Sequence, residues 1–419
     1  MHILVVGSGL LGTSSAWFLC QQGADVTVVD RADQAGMETS FANAGMLTPS
    51  MADPWNSPGI FWQLLRWLGR EESPMLLRPT AIPSLISWGW RFLGNSRRSC
   101  YEPNLLANLR LASYSLSVLR GLRAGIELPY DQSTTGTMRI ARDREALREA
   151  EQLATLLSAR GIAHRVLDRD GVVATEPALS PIAEKISCGI HYPDDESGDA
   201  HLFCRALSEQ AKRAGVEFRF GTSVTGFRRE GRRVIAAQVG GEELEADAFV
   251  LAAGSFSPRL ARPLGIRLPI KPVKGYSITV PRGDWSGAPR IPVADDELHA
   301  AVVPIGDRIR VAGTAEFAGL DVTIGERRIA NLERLLHRIY PSFADRSSEV
   351  ERKPWCGLRP MSADGVPIVG STSHSNFYLN TGHGHLGWTM AAGSAKALAD
   401  QIIGEQPEID MADYNIARF

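Results

Sequence analysis

The first thirty residues constrain this chain most. An apolar run, His2-Ile3-Leu4-Val5-Val6, meets the glycine turn Gly7-Ser8-Gly9-Leu10-Leu11-Gly12, and a helical stretch at 13–22 leads to a second apolar run at 24–29, closed by Asp30. Gly7 permits a tight turn, Gly9 lets the backbone approach a pyrophosphate, and Gly12 lets the helix pack close to the strand. The helix N-terminus then faces the negative charge, and Asp30 stands where a carboxylate accepts hydrogen bonds from ribose hydroxyls. The ordered set of strand, glycines, helix, strand and acid is hard to meet by chance. It favours a dinucleotide site over a turn that is merely structural.

A second glycine-rich helix entrance lies at the far end of the chain. Asn380-Thr381-Gly382-His383-Gly384-His385-Leu386-Gly387 follows the apolar run 377–379 and leads into a helical stretch at 388–403. A flavin gains from such an entrance, because accepting a hydride leaves negative charge on its pyrimidine edge that the positive end of a helix stabilises. The alternative is a terminal strand-turn-helix that only closes the sheet.

With these motifs the chain resembles the FAD-dependent D-amino-acid dehydrogenases, within the D-amino-acid oxidase and glycine oxidase group. Five ordered motifs carry the resemblance: Gly7 to Gly12 with Asp30; Glu38-Thr39-Ser40-Phe41-Ala42-Asn43-Ala44-Gly45; Pro272-Val273-Lys274-Gly275-Tyr276-Ser277; Gly357-Leu358-Arg359-Pro360-Met361-Ser362-Ala363-Asp364-Gly365; and Asn380 to Trp388. The resemblance implies cofactor contacts at Gly7, Gly9, Leu10, Leu11, Gly12, Asp30, Arg31, Thr39, Ser40, Asn43, Ala44, Gly45 and Met46. It implies further contacts at Val224 on the adenine side, at Ala253 and Gly254, and at Arg359, Gly382, His383, Gly384, Leu386, Gly387, Trp388 and Thr389. No cysteine lies in the terminal turn to bond the flavin, so the expected cofactor is noncovalent FAD.

A chain of 419 residues is too long for one ordinary core and suits two domains of about two hundred residues each. The expected fold is α/β: an FAD-binding Rossmann-like domain interleaved with an α+β substrate domain on a mainly antiparallel sheet. Because the two glycine turns sit at opposite ends yet must reach one cofactor, the FAD domain is placed on 1–50, 199–262 and 355–419. The substrate domain takes 51–198 and 263–354. Short β-branched or alternating runs predict its strands at 136–141, 189–192, 276–280, 299–304 and 308–313.

A net charge of −2 offers no electrostatic footprint for nucleic acid. Five scattered cysteines without a CxxC pair argue against a disulfide framework or a metal cluster, and fit a reducing, cytoplasmic compartment. The first strand begins at once, which leaves no room for a cleaved signal. Five of the nine tryptophans fall within 54–92 (Trp55, Trp62, Trp67, Trp88 and Trp90), beside Arg66, Arg70, Arg78 and Arg91. That mixture suits peripheral contact with the inner face of a membrane. It equally suits helices that cover the substrate domain or a subunit interface.

The chemistry implied by the resemblance is oxidative deamination of a D-amino acid to a 2-oxo acid and ammonia. A hydride passes from the α-carbon to flavin N5, and a quinone-type acceptor takes the electrons onward. Such catalysis is mostly placement, and what it requires is a fixed cation for the substrate carboxylate. Arg359 matches that role; a structural ion pair in a Gly-Leu-Arg-Pro turn is the other reading. Tyr276 is a candidate to donate its phenol to the carboxylate or to close the flavin pocket, or else is a core tyrosine. His299 is a candidate residue over the substrate, and His385, where a small residue is expected, is a candidate substrate contact. His383 and His385 lack a cysteine or carboxylate partner, so no metal site is expected. Two other functions stay open: oxidation of a cyclic secondary amine such as D-proline or hydroxy-D-proline, and a flavin-holding subunit with an inactive site.

Overall fold

The computed structural model describes residues 1–67, 69–71, 73–295, 297–346 and 350–419. Two large sheets organise it. The first has six strands in the order Ile368–Ser371, Phe377–Thr381, Ala248–Leu251, His2–Val6, Asp25–Val29 and Glu217–Arg219, all parallel except the edge strand Ile368–Ser371. Its central strands are nearly unbroken apolar runs because both faces are covered, one by helices and the other mainly by a small antiparallel sheet that packs Val234, Ala237 and Val239 on Leu4, Phe249 and Leu251. Helix Leu10–Gln21 packs on Gly387–Ile403, which packs in turn on the long helix Arg98–Gly125. The latter contact is close enough that a Cβ on Gly393 would lie 2.7 Å from Ser115 Cα, and the Gly393 amide donates to Ser115 Oγ.

The second sheet has nine strands. Lys353–Ser362, Ile270–Pro281, Arg308–Phe317, Ala300–Ile305, Val293–Asp295, Thr137–Ala141, Cys188–Tyr192 and Arg165–Asp168 form its path, and Met75–Leu77 joins beside Arg308–Phe317. Two of its pairings are parallel and the rest antiparallel. A three-stranded antiparallel sheet spans Val224–Glu230, Arg233–Val239 and Glu242–Glu245.

The structure moves several expected boundaries. The first helix starts at Leu10 rather than 13, since the end of the glycine motif is already helical. Arg359 lies not in a turn but in the strand Lys353–Ser362, whose Pro360 stands opposite Pro272. This strand belongs to the nine-stranded sheet, so the chain re-enters the parallel sheet only at Ile368. His299 precedes its expected strand, with a left-handed φ of 47°.

The tryptophan-rich segment, whose residues 68 and 72 lie outside the described residues, forms helices Ile60–Trp67 and Ile82–Gly94. Ile60, Trp88 and Phe92 pack inward against Val273, Phe317 and Met361. Phe61, Trp62, Leu65, Ile82, Ile86 and Trp90 face outward, with Trp62 68% and Trp90 74% exposed. No described helix is long and apolar enough to cross a membrane.

Candidate active site

One cavity of about 580 Å³ receives both glycine-rich turns. Gly7 adopts φ +103°, and a Cβ there would lie 2.7 Å from Ala252 O. Gly9, Leu10 and Leu11 line the cavity at the start of helix Leu10–Gln21; Leu386, Gly387, Trp388 and Thr389 line it at the start of Gly387–Ile403. Neither helix is capped by its own N-cap side chain or carries an acidic residue in its first turn, and the only side chain on these first amides among the described residues is the neutral Ser40, whose Oγ accepts from Leu10 N at 3.2 Å. Two positive helix ends from opposite ends of the chain thus meet in one space, and a dianionic dinucleotide complements both.

Asp30 borders the cavity, but its carboxylate is partly engaged: Oδ2 accepts from Ser8 N at 2.6 Å and from Ser8 Oγ at 2.7 Å, and Oδ1 from Ala32 N at 2.9 Å. A carboxylate has about four acceptor sites, which leaves capacity for a ribose hydroxyl. Arg31, Val224, Phe256 and Arg259 extend this end of the cavity, with the Arg31 guanidinium 4.0 Å over the Phe256 ring and paired with Glu38. Ala253 and Gly254 also line it. The middle wall comes from Thr39, Ser40, Asn43, Ala44, Gly45 and Met46. Thr39 Oγ1 donates to Leu358 O at 2.8 Å and Ser277 Oγ to Ala42 O at 2.7 Å, tying this loop to the second sheet. FAD fits this lining, since glycines open the backbone where a Cβ would intrude and an acid stands at the nucleoside end.

Arg359 projects from the opposite wall. The place its guanidinium occupies is vacated by Gly275, where a Cβ would come 2.1 Å from Nη1 and 2.5 Å from Nη2. Nη1 donates to Thr314 O at 3.3 Å, and the guanidinium carbon lies 5.5 Å from the Trp55 ring centre. No described carboxylate pairs with it. Its surface is half-buried and turned to the cavity, and desolvation draws its pKa down to about 10. A cation held out of bulk water without a counter-charge is a prepared anion site.

His385 lies beside it, because Gly384 N donates to Pro360 O at 3.0 Å and ties the terminal turn to the Arg359 strand. The imidazole stacks on Trp55 with centroids 5.1 Å apart. Burial, reinforced by the Arg359 charge, pushes the His385 pKa down to about 3, so the ring is neutral at physiological pH. A neutral imidazole carries one ring nitrogen with its lone pair free to accept a hydrogen bond. His383, pushed down to about 3 by burial, faces the interior and bonds Ser394 Oγ through Nε2 at 3.1 Å.

Three expected residues, His299, Gly12 and Gly382, stand outside the cavity wall, and a fourth, Tyr276, has its hydroxyl engaged elsewhere. Tyr276 borders the cavity, but its phenol is committed: it donates to Glu316 Oε2 at 2.5 Å. Cross-strand pairing places Arg359 with Val273 and Tyr276 with Cys356, on alternating faces of the sheet, so the phenol points away from the guanidinium. His299 is exposed, packs edge-on against Trp67 at 5.5 Å and lies outside the cavity. Gly12 and Gly382 do not line the cavity either; Gly12 instead carries the close helix–strand approach, and Gly382 turns the chain with φ +79°.

Trp55 is the residue that sequence reasoning missed. It was grouped with the aromatic segment, and nothing local connects it to motifs more than 300 positions away. Trp55 touches His385 and Arg359 without lining the cavity itself, whereas Trp355 and Ala312, also unanticipated, line it from the second sheet.

The fold and cavity together define an FAD-dependent oxidoreductase. The family model described as FAD dependent oxidoreductase, DAO, matches residues 2–401, and the chain belongs to that family. It is 43% identical over 420 residues to a D-amino acid dehydrogenase of Xanthobacter autotrophicus, covering 100% of this chain and 99% of that one. It is 44% identical over 420 residues to a D-amino acid dehydrogenase of Methylobacterium nodulans, with the same coverage. In fold it is similar to the crystal structure of L-proline dehydrogenase from P. horikoshii, with a TM-score of 0.79 at 16% identity, covering 100% of this chain and 97% of that one.

Proposed function

We propose that the protein oxidises D-amino acids to 2-oxo acids and ammonia, with noncovalent FAD in the cavity and a quinone-type carrier as the final acceptor. The observation that carries this reading is Arg359, a cavity cation without a carboxylate partner among the described residues, beside the neutral imidazole of His385. The names of the full-length relatives support the D-amino acid. The bound FAD supplies a two-electron acceptor for the hydride leaving the α-carbon; water then hydrolyses the imino acid.

The chain's own part is to seat the carboxylate on Arg359, to offer the unprotonated ring nitrogen of His385 to the amino group, and to keep water out with Trp355. Segments 1–50, 199–262 and 355–419 form the FAD domain in this reading, with Lys353–Ser362 as a shared wall. Mixing the FAD-loaded protein with D-amino acids without oxygen should bleach the flavin, while the L-isomers leave it oxidised. Bleaching by D-proline alone would turn the reading to cyclic amines, and no bleaching by any amine to a flavin-holding subunit.

The outward face of helices 60–67 and 82–94 supports a membrane contact that brings the enzyme to its acceptor. Trp62 and Trp90 project from it beside exposed Arg66 and Arg91. Trp67 is half-buried against the core and is no part of that face. The wild type is expected to float with anionic vesicles, and Trp62→Ser with Trp90→Ser to release it at unchanged flavin content. A wild type left at the bottom of the gradient rejects the contact.

A further inference from the structure

Trp355, Gly357 and Arg359 alternate along the strand Lys353–Ser362 and therefore share one face, the face that lines the cavity. Gly275 stands directly opposite Gly357 in the neighbouring strand, so two glycines leave a bare floor between the two large side chains. Each side chain lies over it. A Cβ on Gly357 would come 2.2 Å from Trp355 Cη2 and 2.4 Å from Cζ2, just as one on Gly275 would come 2.1 Å from Arg359 Nη1. Ala312 shares this face through Ser277, which pairs with both Ala312 and Trp355, and it offers the cavity only a methyl. Among the described residues, Trp355 is thus the one bulky side chain that this face brings to the cavity beside the cation.

The span between the two is short. Cβ positions of directly opposed residues lie about 5 Å apart, so the two close approaches leave the indole edge and the guanidinium no more than roughly 10 Å from each other. A carboxylate bonded to the guanidinium uses about 3 Å of that span, and a methyl in contact with the ring uses about 4 Å. What remains is close to the distance from a carboxyl oxygen of alanine to its methyl carbon. Direction agrees with distance. His385 is tied to the strand at Pro360, beyond Arg359, through the Gly384 amide, whereas Trp355 precedes Arg359 by four residues. With the carboxylate on Arg359, the amino group at His385 and the α-hydrogen turned to the cofactor, the side chain is the substituent left to face the indole.

We propose that Trp355 sets the length of side chain that the site accepts: its substrates are D-amino acids with a side chain of about alanine's size, and the indole turns bulky ones away. The inference rests on the reading of Arg359 as the carboxylate clamp, and it names the substrate class of that site. Gly357 is what lets the indole stand there, since any Cβ would push the ring off the floor. The wall works by exclusion. A longer side chain must displace the ring or draw the carboxylate off the guanidinium, and either way it loses contacts that alanine keeps.

The test uses the FAD-loaded enzyme and two carboxylates that lack an amino group, propionate and 3-phenylpropionate, which match D-alanine and D-phenylalanine. Titrations read from the flavin spectrum should give the wild type a Kd for propionate at least about tenfold below that for 3-phenylpropionate, and kcat/KM should favour D-alanine over D-phenylalanine by as much. Trp355→Ala should keep its flavin and bind 3-phenylpropionate about tenfold or more tighter than the wild type does, a gain that general loosening of the site does not produce. Trp355→Phe should fall between the two. A wild type that binds both carboxylates alike overturns the inference, and so does an alanine variant that weakens both or leaves their ratio unaltered. Loss of flavin from both variants also overturns it, because the indole would then be packing on the cofactor. If Arg359→Lys binds propionate as tightly as the wild type, the clamp itself fails and the inference falls with it.

Discussion

Replacing Gly12 by alanine is expected to abolish FAD retention. A Cβ at this position would lie 1.8 Å from Gly7 O and 2.8 Å from Gly7 C, both backbone atoms. Gly7 cannot retreat, because its amide donates to Val29 O at 2.9 Å and its own Cα faces Ala252 O. The helix Leu10–Gln21 must therefore move off the strand His2–Val6, and its positive end moves off the pyrophosphate position with it. Overpacking against rigid backbone costs about 3 kcal/mol or more at such a contact. Flavin absorbance after gel filtration, together with a thermal melt, measures both consequences. A yellow variant that melts like the wild type rejects the account.

Arg359→Lys is expected to leave FAD in place and to lower kcat/KM for D-amino acids about thirtyfold or more. Lysine keeps the charge but loses the planar fork, and about 2 kcal/mol of transition-state stabilisation goes with it. The shorter donor set also cannot reach the Thr314 carbonyl and a carboxylate together. Stopped-flow reduction of the flavin at limiting substrate is the measurement. Unchanged kinetics in a folded, FAD-loaded variant would return Arg359 to a packing role.

The nucleotide cradle was legible because its requirements are local: glycines where backbones touch, apolar runs where strands are covered on both faces, an acid at the strand end. Val224, Ala253 and Gly254 came from resemblance and do line the cavity. Arg359 was legible as a residue but not as a strand position, since glycine and proline around it read as a turn until pairing with Ile270–Pro281 supplies the missing context. Tyr276 was legible as a residue of the cavity wall but not as one whose phenol is already engaged. Its face is decided by strand alternation across the sheet, and Glu316, forty residues on, captures its hydroxyl. His299 looked like a strand residue, yet the backbone turns left-handed there and leaves it outside. Trp55 depends on a tertiary contact alone, its stack on His385, and leaves no periodic trace.

The order of strands in the parallel sheet bears on how this protein is made in a cell. His2–Val6 finds one neighbour soon, in Asp25–Val29, but its other neighbour begins at Ala248. At about 5–20 residues per second of synthesis, the 245 positions between Ile3 and Ala248 take roughly ten to fifty seconds to emerge. Throughout that interval a fully apolar strand offers an open edge to other nascent chains. The last parallel strand, Phe377–Thr381, arrives later still. The finished molecule hides Leu4 and Val5 entirely, so its equilibrium stability carries no record of that exposure. Soluble yield is governed by ribosome pace and chaperone supply, quantities that a melting curve on the purified enzyme does not sample.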